Sequence, residues 1–283
     1  PTYCMNRIKV IIVSLFACIL LSTRYSKASD TLSVIPFKMY DDLAIVQLSI
    51  NGSEPLNFIF DTGTTTTLLD SVTADHIGVI TDETRALLLS NDFVELPLAK
   101  VTNIKIGEYN IPKSIVIIQR SFENYNRILG FPVHGIIGED IFEKRFTEID
   151  FEKSEIHLHT LLDTTGFKPV KTEIYNDLFY VKAMLIATVT DSFSDRYLFD
   201  SADLSSISLS EPYWKRHDLL NKSKRYYSGV NRSSSTTTSP SYFGKLEAFS
   251  ISKSRFTDFY ANLTAAKRGF FANDTVAGTI GID

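Results

Sequence analysis

From Ser33 onward the apolar positions fall in short runs: LAIVQLSI (43–50), LNFIF (56–60), NIKIG (103–107), SIVIIQ (114–119), TEIDF (147–151) and EIHLH (155–159). They are rich in Ile, Val, Phe and Thr and are separated by turn-forming stretches such as NGSEP, IGEYN and FEKSE. Short β-branched and aromatic runs between turn signals predict strands. ETRALLLS (83–90) and EDIFEKRF (139–146) predict short helices. The chain therefore reads as mainly β with few, short helices.

The pattern repeats. An apolar strand ends in FDTGTTTTLL at Asp61, and another ends in FDSADLSSISLS at Asp200, an offset of 139 residues. HGIIGED (134–140) returns as AGTIGID (277–283), an offset of 143. Two landmarks in one order at nearly one spacing predict two copies of one lobe, each of ordinary domain size, roughly 130–140 residues. The join falls near LLDTTGFKPV (161–170), dividing the chain into 1–28, 29–162 and 163–283. The first copy runs on after its GED into a helix and a hairpin. The second ends at Asp283, so its lobe is expected to be truncated at its C-terminus. The polar stretch 221–244 is expected to be a mobile loop or flap. For a flap in the first lobe the best candidate is Ser90–Ile104.

Composition refines this. With 44% hydrophobic residues over 283 positions, the chain can bury a sizeable core. Lys+Arg 29 against Asp+Glu 33, with no basic patch, argues against nucleic acid as a partner. After Met5, the basic residues Arg7 and Lys9, the apolar run Val10–Leu21 and the small-x-small site Ser26-Lys27-Ala28 predict a signal peptide, hence export. The apolar run is too short to span a bilayer comfortably, so no membrane association is expected after cleavage. LFAC resembles a lipid-attachment site at Cys18, but the apolar run continues past it, which counts against cleavage there. Removal of residues 1–28 takes away four basic residues and no acid, leaving 25 against 33, a net charge of −8. It also takes both cysteines, Cys4 and Cys18, which leaves no thiol for catalysis, metal binding or disulfides.

Phe60-Asp61-Thr62-Gly63 after an apolar strand, followed by Ile136-Ile137-Gly138, resembles the pepsin/retropepsin-like aspartic proteases. The segment GIIGEDIFEKRFTEIDFEKSEIHLH is similar to the closing part of the retroviral-type lobe found in many exported bacterial proteins. The likeness covers nearly all of 40–160, and 179–283 more loosely. It implies two pseudo-symmetric retropepsin-like β-barrel lobes in one monomer, and an endopeptidase acting on a peptide or protein substrate. Asp61 and Asp200 would be the catalytic dyad, supported in their loops by Thr62, Gly63, Thr64, Ser201 and Ala202. Ile136, Ile137, Gly138, Ile280 and Gly281 would thread those loops. Two close carboxylates share one proton; the ionised one takes a proton from water while the other polarises the peptide carbonyl. That chemistry calls for no cofactor and no metal.

The second copy departs from the family pattern. Ala202 replaces the glycine, Asp203 stands where Thr64 does, and Thr279 replaces Ile136. Two other readings therefore remain: a catalytically degenerate peptide-binding protein of this fold, or a homodimer pairing Asp61 of two chains. A surface or assembly protein using the sheets as scaffold is a third. His157-x-His159 places two rings on one strand face, a spacing that could suit a metal, but the sequence offers no third ligand and predicts a solvent-facing pair. His134 is expected in a loop. No G-x-S-x-G, H-E-x-x-H or G-x-x-x-x-G-K motif is present.

Overall fold

The computed structural model describes residues 10–12, 30–89, 93–119, 121–142, 145–232 and 238–282. The expected leader, with both cysteines, lies outside these apart from β1 (Val10–Ile12), which pairs antiparallel with a strand at 146–150. Among the described residues no helix is long and apolar enough to cross a membrane.

The chain is mainly β, in two sheets with matching topology. In the first lobe β2 (Asp30–Tyr40), β3 (Leu43–Ile50) and β4 (Leu56–Phe60) pair antiparallel in sequence. β2 buries alternate residues Ser33, Ile35 and Phe37, as a strand with one wet face should. In β4, Phe58, Ile59 and Phe60 are all buried, because that strand is covered on both faces. After β4 come β5 (Leu68–Asp70), α1 (Ser71–His76), β6 (Thr81–Leu88), β7 (Phe93–Val101), β8 (Ile104–Ile106), β9 (Tyr109–Ile111) and β10 (Ser114–Gln119). Then follow α2 (Glu123–Leu129), β11 (Gly135–Ile137), a single 3-10 turn (Glu139–Ile141), β12 (Phe146–Asp150) and β13 (Glu155–Leu161).

β11 decides the architecture. It lies parallel to β4 and antiparallel to β5, so it threads between the two strands that flank Asp61. Gly138 at its end permits this: a Cβ there would stand 2.8 Å from the Thr66 backbone.

The second lobe repeats the arrangement with β14 (Thr172–Tyr175), β15 (Leu178–Ile186), β16 (Ser192–Phe199), β17 (Ile207–Leu209), α3 (Glu211–Arg216), α4 (Leu219–Lys222), β18 (Tyr226–Arg232), β19 (Thr238–Lys245), β20 (Ala248–Ile251), β21 (Ser254–Phe256), β22 (Tyr260–Thr264) and β23 (Gly278–Ile280). β23 lies parallel to β16 and antiparallel to β17, as β11 does to β4 and β5. A Cβ on Gly281 would stand 2.2 Å from the Ser205 carbonyl oxygen, matching the constraint at Gly138. Each lobe has its own apolar core, one around Phe58, Val46 and Ile104, the other around Tyr197, Leu209 and Leu263. Residues 162–171 between the lobes form no helix or strand.

Three local expectations need correction. ETRALLLS is not a helix: Glu83–Leu88 belong to β6, paired along its length with β7. A short apolar stretch fits either period, and pairing with a neighbour decided it. Of EDIFEKRF, Glu139–Ile141 form the 3-10 turn and Phe146 opens β12, with residues 143–144 outside the described residues. The stretch 221–244 is not a loop throughout: it holds the end of α4 and the paired strands β18 and β19, with 233–237 outside the described residues.

Candidate active site

Asp61 and Asp200 sit just past the ends of β4 and β16, where each threading strand holds the loop. The Asp61 N–H donates to the Ile137 carbonyl at 3.0 Å, and the Asp200 N–H to the Ile280 carbonyl at 2.9 Å. Thr64 and Ser206, on the far sides of the two loops, accept from the backbone N–H groups of Glu139 and Gly281 at 3.0 and 3.1 Å. The aspartates are thus fixed by main chain from both directions before any side chain is considered.

The side chains then join the lobes. The Thr62 N–H donates to Ser201 Oγ and the Ser201 N–H to Thr62 Oγ1, both at 3.0 Å. Thr62 Oγ1 donates to the Phe199 carbonyl and Ser201 Oγ to the Phe60 carbonyl, both at 2.9 Å. Both residues are buried. Each carboxylate also accepts from the backbone two residues on, Asp61 from Gly63 at 2.7 Å and Asp200 from Ala202 at 2.9 Å. The two carboxyl groups lie near enough for each to shift the ionisation of the other.

Burial, the largest influence, pushes Asp61 up to about 6; Asp203 adds to the rise, while the Gly63 N–H and the bond to Asp200 oppose it. Asp200 is raised well above the ordinary range, by burial first and then by the negative charges of Asp61 and Asp203. Both carboxyls are raised, Asp200 the further, so the pair retains a proton at a pH where a lone aspartate is ionised.

Gly63 packs against this pair: a Cβ there would lie 2.6 Å from the Asp200 Cγ. At the equivalent place in the second lobe, the Ala202 methyl packs into an apolar group of the first lobe that includes Ile59, Leu68 and Ile136. The departure from glycine is accommodated by an asymmetry between the lobes.

Asp203 is similarly accommodated. In the first lobe Ile136 and Ile117 flank Leu68 on neighbouring strands, an all-apolar trio. The same positions in the second lobe are Thr279, Asn262 and Ser208. All three are buried. Asp203 accepts from the Thr279 hydroxyl, from Ser208 Oγ at 3.1 Å and from the Ser205 N–H at 3.0 Å; Asn262 Nδ2 in turn donates to Ser208 at 3.2 Å. Burial raises the Asp203 carboxyl, and these three donors hold it down in part. Asp203 thus sits in a nest of polar groups, and Thr279, at the position of Ile136, is part of that nest.

On the first-lobe side, Thr67 donates through its N–H and its hydroxyl to Asp140, at 3.0 and 2.8 Å. Burial raises Asp140 to about 6 and Glu139 to about 7, the latter with added repulsion from Asp140, Asp177 and Asp61. Asp283, at the position of Asp140 in the second copy, lies outside the described residues.

The sequence reading missed Tyr125. It lies on α2 and packs in the same apolar group as Ala202. Burial raises its hydroxyl far above the usual range, and the charges of Asp61, Asp200 and Asp203 raise it further, so it sits within the field of the whole acidic centre. No motif marks a tyrosine 64 residues beyond Asp61 as its neighbour.

The β6–β7 hairpin reaches over the same region. Leu87, Val94 and Leu96 pack beside Tyr125, and the Leu89 carbonyl accepts from the Phe270 N–H of the other lobe at 2.9 Å. The expected flap at Ser90–Ile104 covers only the returning arm of this hairpin, and Ser90 itself lies outside the described residues. His134 is in a loop, where its Nδ1 accepts from the Asn57 N–H at 2.9 Å. His159 is 2% exposed and not solvent-facing as expected, because Thr31 and Glu148 close over it.

Residues 46–141 match the family model described as aspartyl protease. No curated protein matches the chain. Among solved structures, a retropepsin-like aspartic protease from Rickettsia conorii aligns at 16% identity with a TM-score of 0.33, over 48% of this chain and 96% of that one. The family-model match takes in 96 of the 283 residues and contains Asp61, its loop and the threading strand β11.

Proposed function

We propose that the chain is an exported aspartic-type endopeptidase, acting as a two-lobed monomer on an extended peptide laid across Asp61 and Asp200. The observation that carries this reading is the reciprocal pair of Thr62–Ser201 bonds, which joins the two aspartate loops so that Asp61 and Asp200 meet at one place. Ionised Asp61 takes a proton from a water molecule held by the pair. Protonated Asp200 donates to the carbonyl oxygen of the scissile bond, and the water oxygen attacks the carbon. The proton gained by Asp61 then passes to the leaving nitrogen as the C–N bond breaks, a hydroxyl of the tetrahedral intermediate returns its proton to Asp200, and the pair regains its one-proton state. Thr62, Gly63, Thr64, Ser201 and Ala202 position the loops, and Ile136, Ile137, Gly138, Ile280 and Gly281 hold them from below. A substrate enters by parting the contact between Leu89 and Phe270, so the β6–β7 hairpin acts as the lid. Export rests on the leader pattern of residues 5–28.

The replacement of glycine by Ala202 favours a second reading, a peptide-binding protein of the same fold that no longer cleaves. Against it stands the nest around Asp203, since decay does not supply three matched donors. A cleavage assay on an unstructured protein between about pH 4 and 7 tests the choice. Turnover abolished by both Asp61→Asn and Asp200→Asn is the expected result. Peptide binding with no turnover by the unaltered chain would establish the second reading. Turnover that survives Asp200→Asn would point instead to pairing of Asp61 between two chains.

A further inference from the structure

We infer that Glu148, His157 and His159 form a binding site for one divalent transition-metal ion, Zn2+ by the chemistry of its ligands. Two imidazoles and one carboxylate offer donor atoms that all lie within 4.8 Å of one another. The register produces the cluster: Glu148 on β12 stands directly opposite His157 on β13, and His159 follows on the same face. The sequence could not supply this third ligand, because it comes from the neighbouring strand.

The separations suit an ion. Bonds of about 2.0–2.1 Å at tetrahedral angles place ligand atoms roughly 3.3 Å apart. His159 Nε2 and Glu148 Oε2 are already 3.2 Å apart. His157 is the more exposed ring, its side chain 18% accessible against 3% for His159, so the site opens to solvent on that side. The two rings are stacked with centroids 6.0 Å apart, so both face the same side of the hairpin.

Each ring also has an outer partner. Thr31 Oγ1 is 3.2 Å from His159 Nδ1, which leaves Nε2 directed at the cluster. Glu155 Oε2 is 2.9 Å from His157 Nε2, a carboxylate beside the second ring. A carboxylate or hydroxyl on the far nitrogen is the usual way a metal-binding imidazole is oriented and made more basic. A set of two imidazoles and one carboxylate takes Zn2+ with a fourth position open to water. The ion would tie β12 to β13, and both to β2 through Thr31, clamping the edge of the first lobe. The site belongs to strands remote in sequence from Asp61 and does not depend on the proposed peptidase activity.

The test uses the full chain, dialysed against chelator and titrated with Zn2+ and, separately, with Co2+. One Zn2+ per chain, visible d–d absorption with Co2+ and a raised Tm on Zn2+ addition are expected. His157→Gln and Glu148→Gln, both at partly exposed positions, should each weaken Zn2+ binding at least tenfold, whereas His76→Gln on α1 should not. Absence of stoichiometric Zn2+ at micromolar concentration would overturn the site and leave a His159–Glu148 hydrogen bond. Equal affinity in the parent and in His157→Gln would overturn it as well.

Discussion

Thr62 and Ser201 exchange backbone N–H groups and hydroxyl oxygens across the lobe boundary, each at 3.0 Å, although 139 residues separate them. Together with the two hydroxyl-to-carbonyl bonds, this cycle fixes the distance between the aspartate loops more directly than any apolar contact does. Its strength comes from burial, because water cannot replace a bond broken there.

Ser201→Ala should therefore destabilise the joined lobes strongly. It leaves the Thr62 N–H and the Phe60 carbonyl without partners, each costing about 1–3 kcal/mol. Urea unfolding should show the loss, and Ser201→Thr, which keeps the hydroxyl, should recover most of it. A midpoint unchanged by the alanine would mean the cycle is not maintained in solution.

Gly63→Ala should cost catalysis more than stability. The new methyl would meet the Asp200 carboxyl at 2.6 Å and displace it from Asp61. A displacement of about 1 Å in a reacting group lowers rate by roughly a hundredfold. Ala202→Gly, which restores the glycine of the first lobe, should leave kcat/KM within a few-fold of the parent.

Peptidase activity should rise with pH on its acid side around pH 6, where Asp61 ionises, and fall again once Asp200 releases its proton. Asp203→Asn removes a negative charge that raises both groups, so both limbs of the profile should move to lower pH. A profile that does not move would place Asp203 outside the electrostatics of the dyad.

Stability should run the other way. Asp61, Asp140 and Glu139 are raised to about 6, 6 and 7 from ordinary values of 3.8, 3.8 and 4.5. Between those limits the folded chain holds protons that the unfolded chain has released. The contribution of these groups to stability is then greatest below about pH 4 and declines as pH rises towards 7. Asp61→Asn should flatten that decline, as measured by urea midpoints at pH 5 and 7, because the amide cannot ionise.

Much of this was written locally. The apolar runs at 43–50, 56–60 and 114–119 became strands, because each is short, β-branched and bounded by turn residues. The echo of Asp61 at Asp200 survived as a repeat because two copies of one lobe keep similar turn chemistry. Glu83–Leu88 misled, since six residues carry too little periodicity to separate helix from strand, and pairing with β7 settled the matter. What no local pattern contains is the partner on the next strand. Glu148 beside His157, the Ser208–Asn262–Thr279 nest around Asp203, and Tyr125 near Asp61 all depend on register or on helix packing. The chain by itself determined most of the short strands and the two aspartate motifs that echo each other. Tertiary structure alone decided which buried polar groups surround them, because the low dielectric that makes those contacts matter exists only after the lobes close.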